Sequence, residues 1–277
     1  MRVYAVQFDI AWEDKKSNHE KVRQILAKVE PAPGSLVVLL EMFDTGFSLN
    51  VEKTRDDLAG ESERFCCSLA AELGVFLQGA RTTVEEDGWA RNRALICNPR
   101  GEKIADYAKL HPFGFGREVE KFRGGDELVS FEWMSSGQKL TVSPLICYDL
   151  RFPEAFRLAT LELGAEMFTL GASWPAARAD HWRALLIARA IENQAYVVGV
   201  NRCGNDPHLE YAGGSLIISP KGKILAEAGA EPVVLQAEIS DISVRAWRNA
   251  FSALRDVRRE MLGRLPGRGE KWGSKQN

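Results

Sequence analysis

The chain has 277 residues, of which 45% are hydrophobic and 27% are charged, and its formal net charge is -2. This composition is typical of a globular protein with a large core, and the length is compatible with one α/β domain. The near-neutral charge provides no long-range field that would gather nucleic acid or anionic lipid. We therefore expect a small-molecule substrate, with no nucleic acid and no membrane among the partners.

Two further features concern location and redox state. No apolar segment approaches the ~20 residues that span a bilayer, and residues 1–4 enter a strand pattern without a signal-peptide core, so a cytoplasmic location is expected. The cysteines are odd in number and include no C-x-x-C pair, which fits neither a disulfide framework nor a zinc site. They are Cys66, Cys67, Cys97, Cys147 and Cys203.

Apolar strands and amphipathic helices alternate along the chain. The strand patterns lie at residues 3–8, 35–40, 75–79, 140–146, 167–170 and 196–200. The helix patterns between them lie at residues 22–29, 65–73, 156–161 and 180–193. Gly74 and Gly164 follow two of these helices, which is typical of helix ends. The alternation predicts an α/β fold rather than segregated helices and strands.

Two segments have the pattern of a hairpin turned by proline and glycine. The turns are Asn98-Pro99-Arg100-Gly101 and Ser219-Pro220-Lys221-Gly222, each between short apolar strands. The repeated layout indicates either two equivalent β-ribbons in a pseudo-symmetric fold or two copies of a common hairpin. From Gly263 the chain is rich in Gly, Arg and Lys, so we expect one domain over 1–262 and an extended or poorly ordered tail over 263–277.

Glu41 directly follows the apolar run at 35–40, whose unbroken hydrophobicity is typical of a strand buried on both faces. In sheets of this kind, ligands gather beyond the carboxyl ends of the strands. A carboxylate there is costly to desolvate unless it has a partner or a catalytic task, so Glu41 is a candidate general base. The alternative is a solvated loop residue.

Cys147 directly follows the strand pattern at 140–146 and precedes a helix pattern. A helix N-terminus and a nearby cation would lower the pKa of the Cys147 thiol and make it a nucleophile. Alternatively, Cys147 is a small buried hydrophobic residue, and Cys203 in a polar loop is a weaker rival. Histidine is the usual partner of a catalytic thiol, and His111 and His181 are the candidates for such a pair.

Three dispersed segments carry a resemblance to a known family. They are Leu39-Leu40-Glu41-Met42-Phe43, Tyr107-Ala108-Lys109-Leu110-His111 and Leu145-Ile146-Cys147-Tyr148-Asp149-Leu150-Arg151-Phe152-Pro153-Glu154. With these motifs in this order, the chain resembles the nitrilase (carbon-nitrogen hydrolase) superfamily from the first strand to the region of Glu238. Within that superfamily it is most similar to the omega-amidase branch, which acts on 2-oxo acid amides such as 2-oxoglutaramate.

The resemblance implies an α-β-β-α sandwich that extends across the interface of a homodimer. Glu41 then matches the general base, Lys109 the lysine of the catalytic trio and Cys147 the nucleophile. Glu118 matches a second active-site glutamate, with Glu120 as the alternative. The implied reaction converts a terminal carboxamide to a carboxylate and ammonia through a cysteine thioester, and no metal or organic cofactor has a task in it.

Three more residues are candidates for oxyanion and substrate binding. The Tyr148 backbone amide would hold the oxyanion together with Lys109, and Tyr148 replaces the tryptophan usual in true nitrilases, which favours an amide over a nitrile. Arg151 would bind the substrate carboxylate, unless it forms a structural ion pair. Trp174 would either wall the pocket or pack in the core.

Other functions remain open for the same residues. The implied site would also suit deaminated glutathione, an N-carbamoyl amine or a nitrile. A non-catalytic binding protein on this fold is a different class of alternative. The presence of Glu41, Lys109 and Cys147 in one chain argues against a purely binding role.

Overall fold

The computed structural model describes residues 1–56 and 60–262. The strands are β1 (Arg2–Gln7), β2 (Leu36–Val38), β3 (Arg55–Asp56), β4 (Phe76–Val84), β5 (Ala90–Cys97), β6 (Lys103–Ala108), β7 (Phe131–Ser135), β8 (Gln138–Ile146), β9 (Met167–Ala172), β10 (Tyr196–Asn201), β11 (Cys203–Asn205), β12 (Glu210–Ala212), β13 (Leu216–Ile218), β14 (Ile224–Glu227) and β15 (Val233–Glu238). The helices are α1 (Lys15–Val29), α2 (Val51–Thr54), α3 (Glu61–Leu73), α4 (Pro153–Glu162), α5 (Ala179–Asn193) and α6 (Asp241–Ala250). Short 3-10 turns span Glu118–Glu120, Cys147–Arg151, Ala176–Arg178, Ala253–Asp256 and Arg259–Met261. The expected tail over 263–277 lies outside the described residues.

Two sheets form the centre of the molecule and share one topology. The first has the order β15-β1-β2-β4-β5-β6, with β3 beside β4, and the second has the order β14-β13-β10-β9-β8-β7. In each sheet, three parallel strands lie between one antiparallel strand and an antiparallel pair. The pairs β5–β6 and β13–β14 occupy equivalent places, which agrees with the pseudo-symmetric interpretation of the two hairpins.

The sheets pack face to face, and helices cover them. Apolar side chains of β1, β2 and β4 share one buried cluster with those of β8 and β10, so the main core lies between the sheets. Helices α1 and α3 pack on the first sheet through residues such as Leu26 and Leu69. Helices α4 and α5 pack on the second through Phe156, Trp182 and Leu186. This arrangement is the expected α-β-β-α sandwich.

Local sequence signals explain where the helices begin and end. Asp14 caps α1 by accepting the Ser17 amide at 3.0 Å, and Gly74 ends α3 in the left-handed conformation, as its position predicts. Helix α3 begins at Glu61, before the apolar pattern, because acidic residues are stabilising in a first turn. Pro153 opens α4, where its missing N–H is not needed. In the described part of the chain, no helix is long and apolar enough to cross a bilayer.

Gly171 allows a close approach between the two sheets. A Cβ on Gly171 would lie 2.7 Å from both the Glu41 nitrogen and the Leu39 carbonyl oxygen, a separation that real side chains do not reach. Because Gly171 is near the end of β9 and Glu41 follows β2, the carboxyl ends of these two strands lie in direct contact. The backbone around Glu41 therefore lies directly against the second sheet.

The cysteines are arranged differently from the expectation. Cys67 in α3 and Cys97 at the end of β5 form a disulfide, with their Cα atoms 5.2 Å apart, whereas Cys66, Cys147 and Cys203 are free. The expectation that the cysteine pattern fits no disulfide framework is therefore corrected for this one pair. Cysteine spacing did not reveal it, because only the packing of α3 against β5 brings the two side chains together.

Candidate active site

Three buried side chains meet at the carboxyl ends of strands from both sheets. Glu41 follows β2, Lys109 follows β6 and Cys147 follows β8. The Lys109 ammonium donates a 2.8 Å hydrogen bond to Glu41 Oε1, and the Glu41 carboxylate acts on the Cys147 thiol, whose pKa it raises. Their exposed fractions are 0%, 1% and 8%, respectively. The fold thus brings together a carboxylate, an ammonium and a thiol that are far apart in the sequence.

The Glu41 carboxylate is held at both oxygens. Oε1 accepts from Asn92 Nδ2 at 2.8 Å as well as from Lys109, and Oε2 accepts from the Ser173 backbone amide at 2.9 Å. Asn92 lies in β5 and Ser173 follows β9, so both sheets contribute donors. A buried carboxylate needs such partners to offset its desolvation. These contacts fix the orientation of Glu41 toward Cys147.

Glu118 is a second carboxylate on the other side of Lys109. Its Oε2 accepts from Lys109 at 2.9 Å and from the Phe113 amide at 2.5 Å, and it is fully buried. Glu120, the alternative match, instead pairs with Arg117 at 2.8 Å on the surface. The structure therefore places Glu118, and not Glu120, beside the trio.

The charge state of Lys109 follows from its two carboxylate neighbours. Burial acts to lower the pKa of Lys109, but Glu118 and Glu41 outweigh it and raise this pKa well above its ordinary value. The pKa of Glu118 is also raised, because burial and the Glu41 charge oppose ionisation more than Lys109 favours it. Lys109 is consequently a fixed cation throughout the physiological pH range.

Cys147 lies in a tight turn, with a φ of 42°. Residues other than glycine rarely adopt this left-handed conformation, and such strain often occurs at functional sites. Burial raises the pKa of the Cys147 thiol well above its ordinary value, Glu41 raises it further, and Lys109 opposes them. The expectation of a pKa lowered by a helix N-terminus is therefore wrong, because Cys147 opens a short 3-10 turn and α4 begins only at Pro153. The resting thiol is protonated at neutral pH.

A buried network that the sequence analysis missed supports the nucleophile. Asp149 Oδ2 accepts from the Tyr107 hydroxyl at 2.7 Å and from the Ile146 amide at 3.1 Å. Asp149 Oδ1 accepts from the His111 amide at 3.0 Å and lies 2.9 Å from His111 Nδ1. Asp149 thus ties the turn that carries Cys147 to the segment around Lys109.

The residues considered as alternatives to this trio lie elsewhere. His111 faces Asp149 and stacks on Phe152 at a centroid distance of 3.7 Å. His181 Nδ1 lies 3.3 Å from Arg151 Nη2. Cys203 is buried in β11, and burial raises the pKa of its thiol to about 11. Since His111 and His181 contact Asp149 and Arg151, and Glu41 is the carboxylate that acts on the Cys147 thiol, the site favours a carboxylate base over a Cys-His pair.

A cavity of about 480 Å³ opens onto Cys147 and Lys109. Its volume suits a small ligand. Tyr148, Arg151 and Trp174 all line it, as expected of substrate-binding residues. The remaining aromatic and charged lining residues are Trp12, Glu13, Phe47, Phe113, Arg117, Arg178, Asp206, His208 and Tyr211.

Trp174 both lines the cavity and packs in the interior, the two roles considered for it. Its ring contacts Trp182 at 5.5 Å, so it packs in the interior, and its residue also faces the cavity. Its backbone amide donates to Asn201 Oδ1 at 2.7 Å. The Arg151 guanidinium lies over the Trp174 ring at 4.7 Å and has no carboxylate partner in the described ranges, which is contrary to a structural ion pair.

Asn92 is a further site residue that the sequence analysis missed. It donates to Glu41 and, at 3.3 Å, to Glu118, so it joins the two carboxylates. In the first half of β5, buried and half-buried residues alternate, and Asn92 occupies a buried position. A polar residue on the inward face of an alternating strand was the available signal.

Comparison with known proteins agrees with this geometry. The family model for carbon-nitrogen hydrolases matches residues 2–249. The 2-oxoglutaramate amidase of Bacillus subtilis (strain 168) is 35% identical over 260 residues, which cover 94% of this chain and 98% of that protein. Omega-amidase YafV of Escherichia coli (strain K12) is 34% identical over 264 residues, covering 93% and 96%.

A solved structure gives the same result at the level of the fold. XC1258 from Xanthomonas campestris, a CN-hydrolase superfamily protein with an arsenic adduct in its active site, superposes with a TM-score of 0.85 at 34% identity. The match covers 93% of this chain and 97% of that chain. The three sequence motifs, the sandwich and these similarities all lead to one conclusion. The chain belongs to the carbon-nitrogen hydrolase family.

Proposed function

We propose that the protein is an omega-amidase, which hydrolyses the terminal carboxamide of a small 2-oxo acid amide such as 2-oxoglutaramate. The observation that carries this proposal is the Lys109–Glu41 contact at 2.8 Å, buried at a small cavity that Lys109 and the Cys147 thiol line. The similarity to proteins named 2-oxoglutaramate amidase and omega-amidase supports the substrate class.

The reaction begins with transfer of the thiol proton to Glu41 as Cys147 Sγ attacks the amide carbon. The Lys109 ammonium and the Tyr148 backbone N–H stabilise the resulting oxyanion. Glu41 then donates the proton to the leaving nitrogen, and the carbon–nitrogen bond breaks to give ammonia and a thioester. In the second half, Glu41 takes a proton from water, which attacks the thioester and releases the carboxylate and the thiol.

In this mechanism, Lys109 provides the positive charge that stabilises the oxyanion. Two carboxylates hold it at 2.8 Å and 2.9 Å, so its charge is in place before negative charge develops on the substrate. A preorganised donor of this kind contributes about 2.7–4 kcal/mol of transition-state stabilisation. Glu118 acts through Lys109 and is a positioning residue in this scheme.

Arg151 and Trp174 form the substrate side of the cavity in this proposal. Arg151 offers a cation for the substrate carboxylate, and Trp174 supplies an apolar wall over which that guanidinium is stacked. The same site would admit deaminated glutathione, an N-carbamoyl amine or a nitrile as alternative substrates. Carboxylate selectivity therefore depends on the cavity and not on the trio.

An ammonia-release screen tests the substrate class. The panel contains 2-oxoglutaramate, 2-oxosuccinamate, deaminated glutathione, simple aliphatic amides, carbamoyl amines and nitriles. The proposal predicts the highest kcat/KM for the 2-oxo acid amides, and a higher value for a nitrile or carbamoyl amine would overturn that assignment. A binding protein without catalysis would release no ammonia from any member of the panel.

We also propose that the protein is a cytoplasmic homodimer built from a domain over 1–262. Exposed apolar side chains on α5, on α6 and directly after α6 support an interface there, with Ile191 53%, Ile242 71% and Phe251 56% exposed. Light scattering should give twice the chain mass of 30.8 kDa, and a value equal to one chain would contradict the dimer. A chain ending at residue 262 should retain full activity, and cell fractionation tests the location.

A further inference from the structure

The cationic side chains that line the cavity differ in how they are paired. Lys109 lies between the two active-site carboxylates, and Arg117 makes hydrogen bonds of 2.8 Å and 2.9 Å with Glu120. Neither Arg151 nor Arg178 has an ion pair with a carboxylate within the described part of the chain. The cavity therefore contains positive charge that the protein itself does not neutralise.

The acidic lining residues already have other partners. Glu13 pairs with Lys53 at 3.0 Å and accepts from the Ser48 hydroxyl at 2.6 Å. Asp206 accepts from the Tyr211 hydroxyl at 2.6 Å and from the backbone amide of His208. Because Glu13 and Asp206 already have these partners, Arg151 and Arg178 are available to bind an anion from solution.

The two unpaired arginines are not equivalent. One face of Arg151 lies over Trp174, and its Nη2 is 3.3 Å from His181 Nδ1. The Arg178 guanidinium lies 5.6 Å from the centroid of Phe113 and 5.9 Å from that of Phe115. Among residues 1–56 and 60–262, the side chain of Arg178 has no hydrogen-bond partner, so its N–H donors are all available.

The backbone of Arg178 is fixed at the edge of the cavity. Its carbonyl oxygen accepts a 2.8 Å hydrogen bond from Trp174 Nε1, and it ends the 3-10 turn Ala176–Arg178 that leads into α5. Aromatic neighbours can position a guanidinium without occupying its donors. Arg178 is thus placed as a ready bidentate ligand for a planar anion such as a carboxylate.

We infer that Arg178 is the main ligand of the substrate carboxylate and that Arg151 is the secondary one. This inference rests on the proposed function and narrows its substrate class to small amides that carry a carboxylate elsewhere in the molecule. The contact is remote from the bonds that change, so it stabilises the bound substrate and the transition state alike. Its loss should raise KM and leave kcat largely intact.

The test compares glutaramate with pentanamide, which differ by a carboxylate or a methyl group at the end of equal carbon chains. Arg178→Gln should lower kcat/KM for glutaramate by about 10-fold to 100-fold through KM, because hydrogen bonds to charged groups contribute about 1.5–3 kcal/mol. Its kcat/KM for pentanamide should stay near the wild-type value. Arg183→Gln is a matched control on α5, since Arg183 pairs with Glu227 away from the cavity.

Binding provides a second readout that does not depend on turnover. In a Cys147→Ala background, calorimetry should show that Arg178→Gln weakens the binding of glutarate by a similar factor. An equal loss of kcat/KM for both amides would overturn the inference, and so would a loss of carboxylate selectivity in Arg151→Gln but not in Arg178→Gln. If the wild-type protein releases no ammonia from any amide, the proposed function itself fails. If it is active but does not prefer glutaramate over pentanamide, only the inference about the carboxylate fails.

Discussion

The hydroxyl of Tyr107 donates a 2.7 Å hydrogen bond to the carboxylate of Asp149 in the interior of the protein. Tyr107 is near the end of β6, two residues before Lys109, and Asp149 is two residues after Cys147. The bond therefore ties the segment that carries the lysine to the turn that carries the nucleophile. Neither Tyr107 nor Asp149 is among the residues that line the cavity.

Asp149→Asn should impair the enzyme by displacing Cys147. The amide NH2 of asparagine cannot accept the hydrogen bonds that one Asp149 oxygen now accepts, so buried donors lose their partners at about 1–3 kcal/mol. We expect lower stability in urea unfolding and a lower kcat with little change in KM, measured well below the melting temperature. Tyr107→Phe should show the same pattern more mildly. Wild-type kcat in Asp149→Asn would contradict a positioning role.

Glu118→Gln should lower kcat, because it removes one of the two charges that hold the Lys109 ammonium. We expect a loss smaller than the about 100-fold to 1,000-fold that removal of an oxyanion donor by Lys109→Met should cause. The matched control is Glu120→Gln, which breaks only a surface pair with Arg117 and should cost little, because solvent screens exposed ion pairs. In steady-state kinetics, the loss of kcat should be largest for Lys109→Met, intermediate for Glu118→Gln and smallest for Glu120→Gln. An equal loss of kcat in the two glutamate variants would contradict the role of Glu118.

Glu41→Gln should lower the pKa of the Cys147 thiol while it abolishes turnover. Burial raises this pKa and the Glu41 carboxylate raises it further, whereas Lys109 lowers it. Removing the carboxylate charge leaves burial opposed by Lys109, so the thiolate forms at lower pH than in the wild type. The pH dependence of Cys147 alkylation by iodoacetamide, followed by peptide mass, measures this shift. An unchanged or higher midpoint would mean that Glu41 does not act on the thiol.

Gly171→Ala should destabilise the protein and reduce activity together. The new Cβ would lie 2.7 Å from backbone atoms of Glu41 and Leu39, neither of which can rotate away. Overpacking of this kind costs about 1–3 kcal/mol, and here the displaced segment carries the general base. Gly229→Ala is the control, because nothing lies within 4 Å of its Cβ position. Equal urea midpoints and rates for the two variants would contradict the close approach of the sheets.

The residues alone predicted an α/β fold with Glu41 and Cys147 as candidates, and the family resemblance added the sandwich and Lys109. Unbroken apolar runs end at Glu41 and Cys147, which predicts that both residues lie at the carboxyl ends of buried strands, and the structure places those strands in two facing sheets. Sequence also suggested equivalent hairpins, and the two sheets do repeat one topology. The strand ends and the hairpins are encoded by local patterns of residues, which can be recognised in a single sequence.

Long-range packing was what the sequence could not supply. The Cys67–Cys97 disulfide, the contact of Asn92 with both carboxylates and the raised pKa of Cys147 all depend on which elements lie side by side. The choice between Glu118 and Glu120 was likewise open until the 3-10 turn showed which side chain points inward. Burial and partner identity, rather than residue type, decide each of these cases.

The proposed mechanism requires a covalent bond between the substrate carbonyl carbon and Cys147 Sγ. Intact-mass analysis of the enzyme, quenched during turnover of 2-oxoglutaramate, should show an adduct equal to the substrate minus ammonia, and peptide mapping should place it on Cys147. Cys147→Ala should show neither the adduct nor ammonia release. Normal ammonia release by Cys147→Ala would contradict the account.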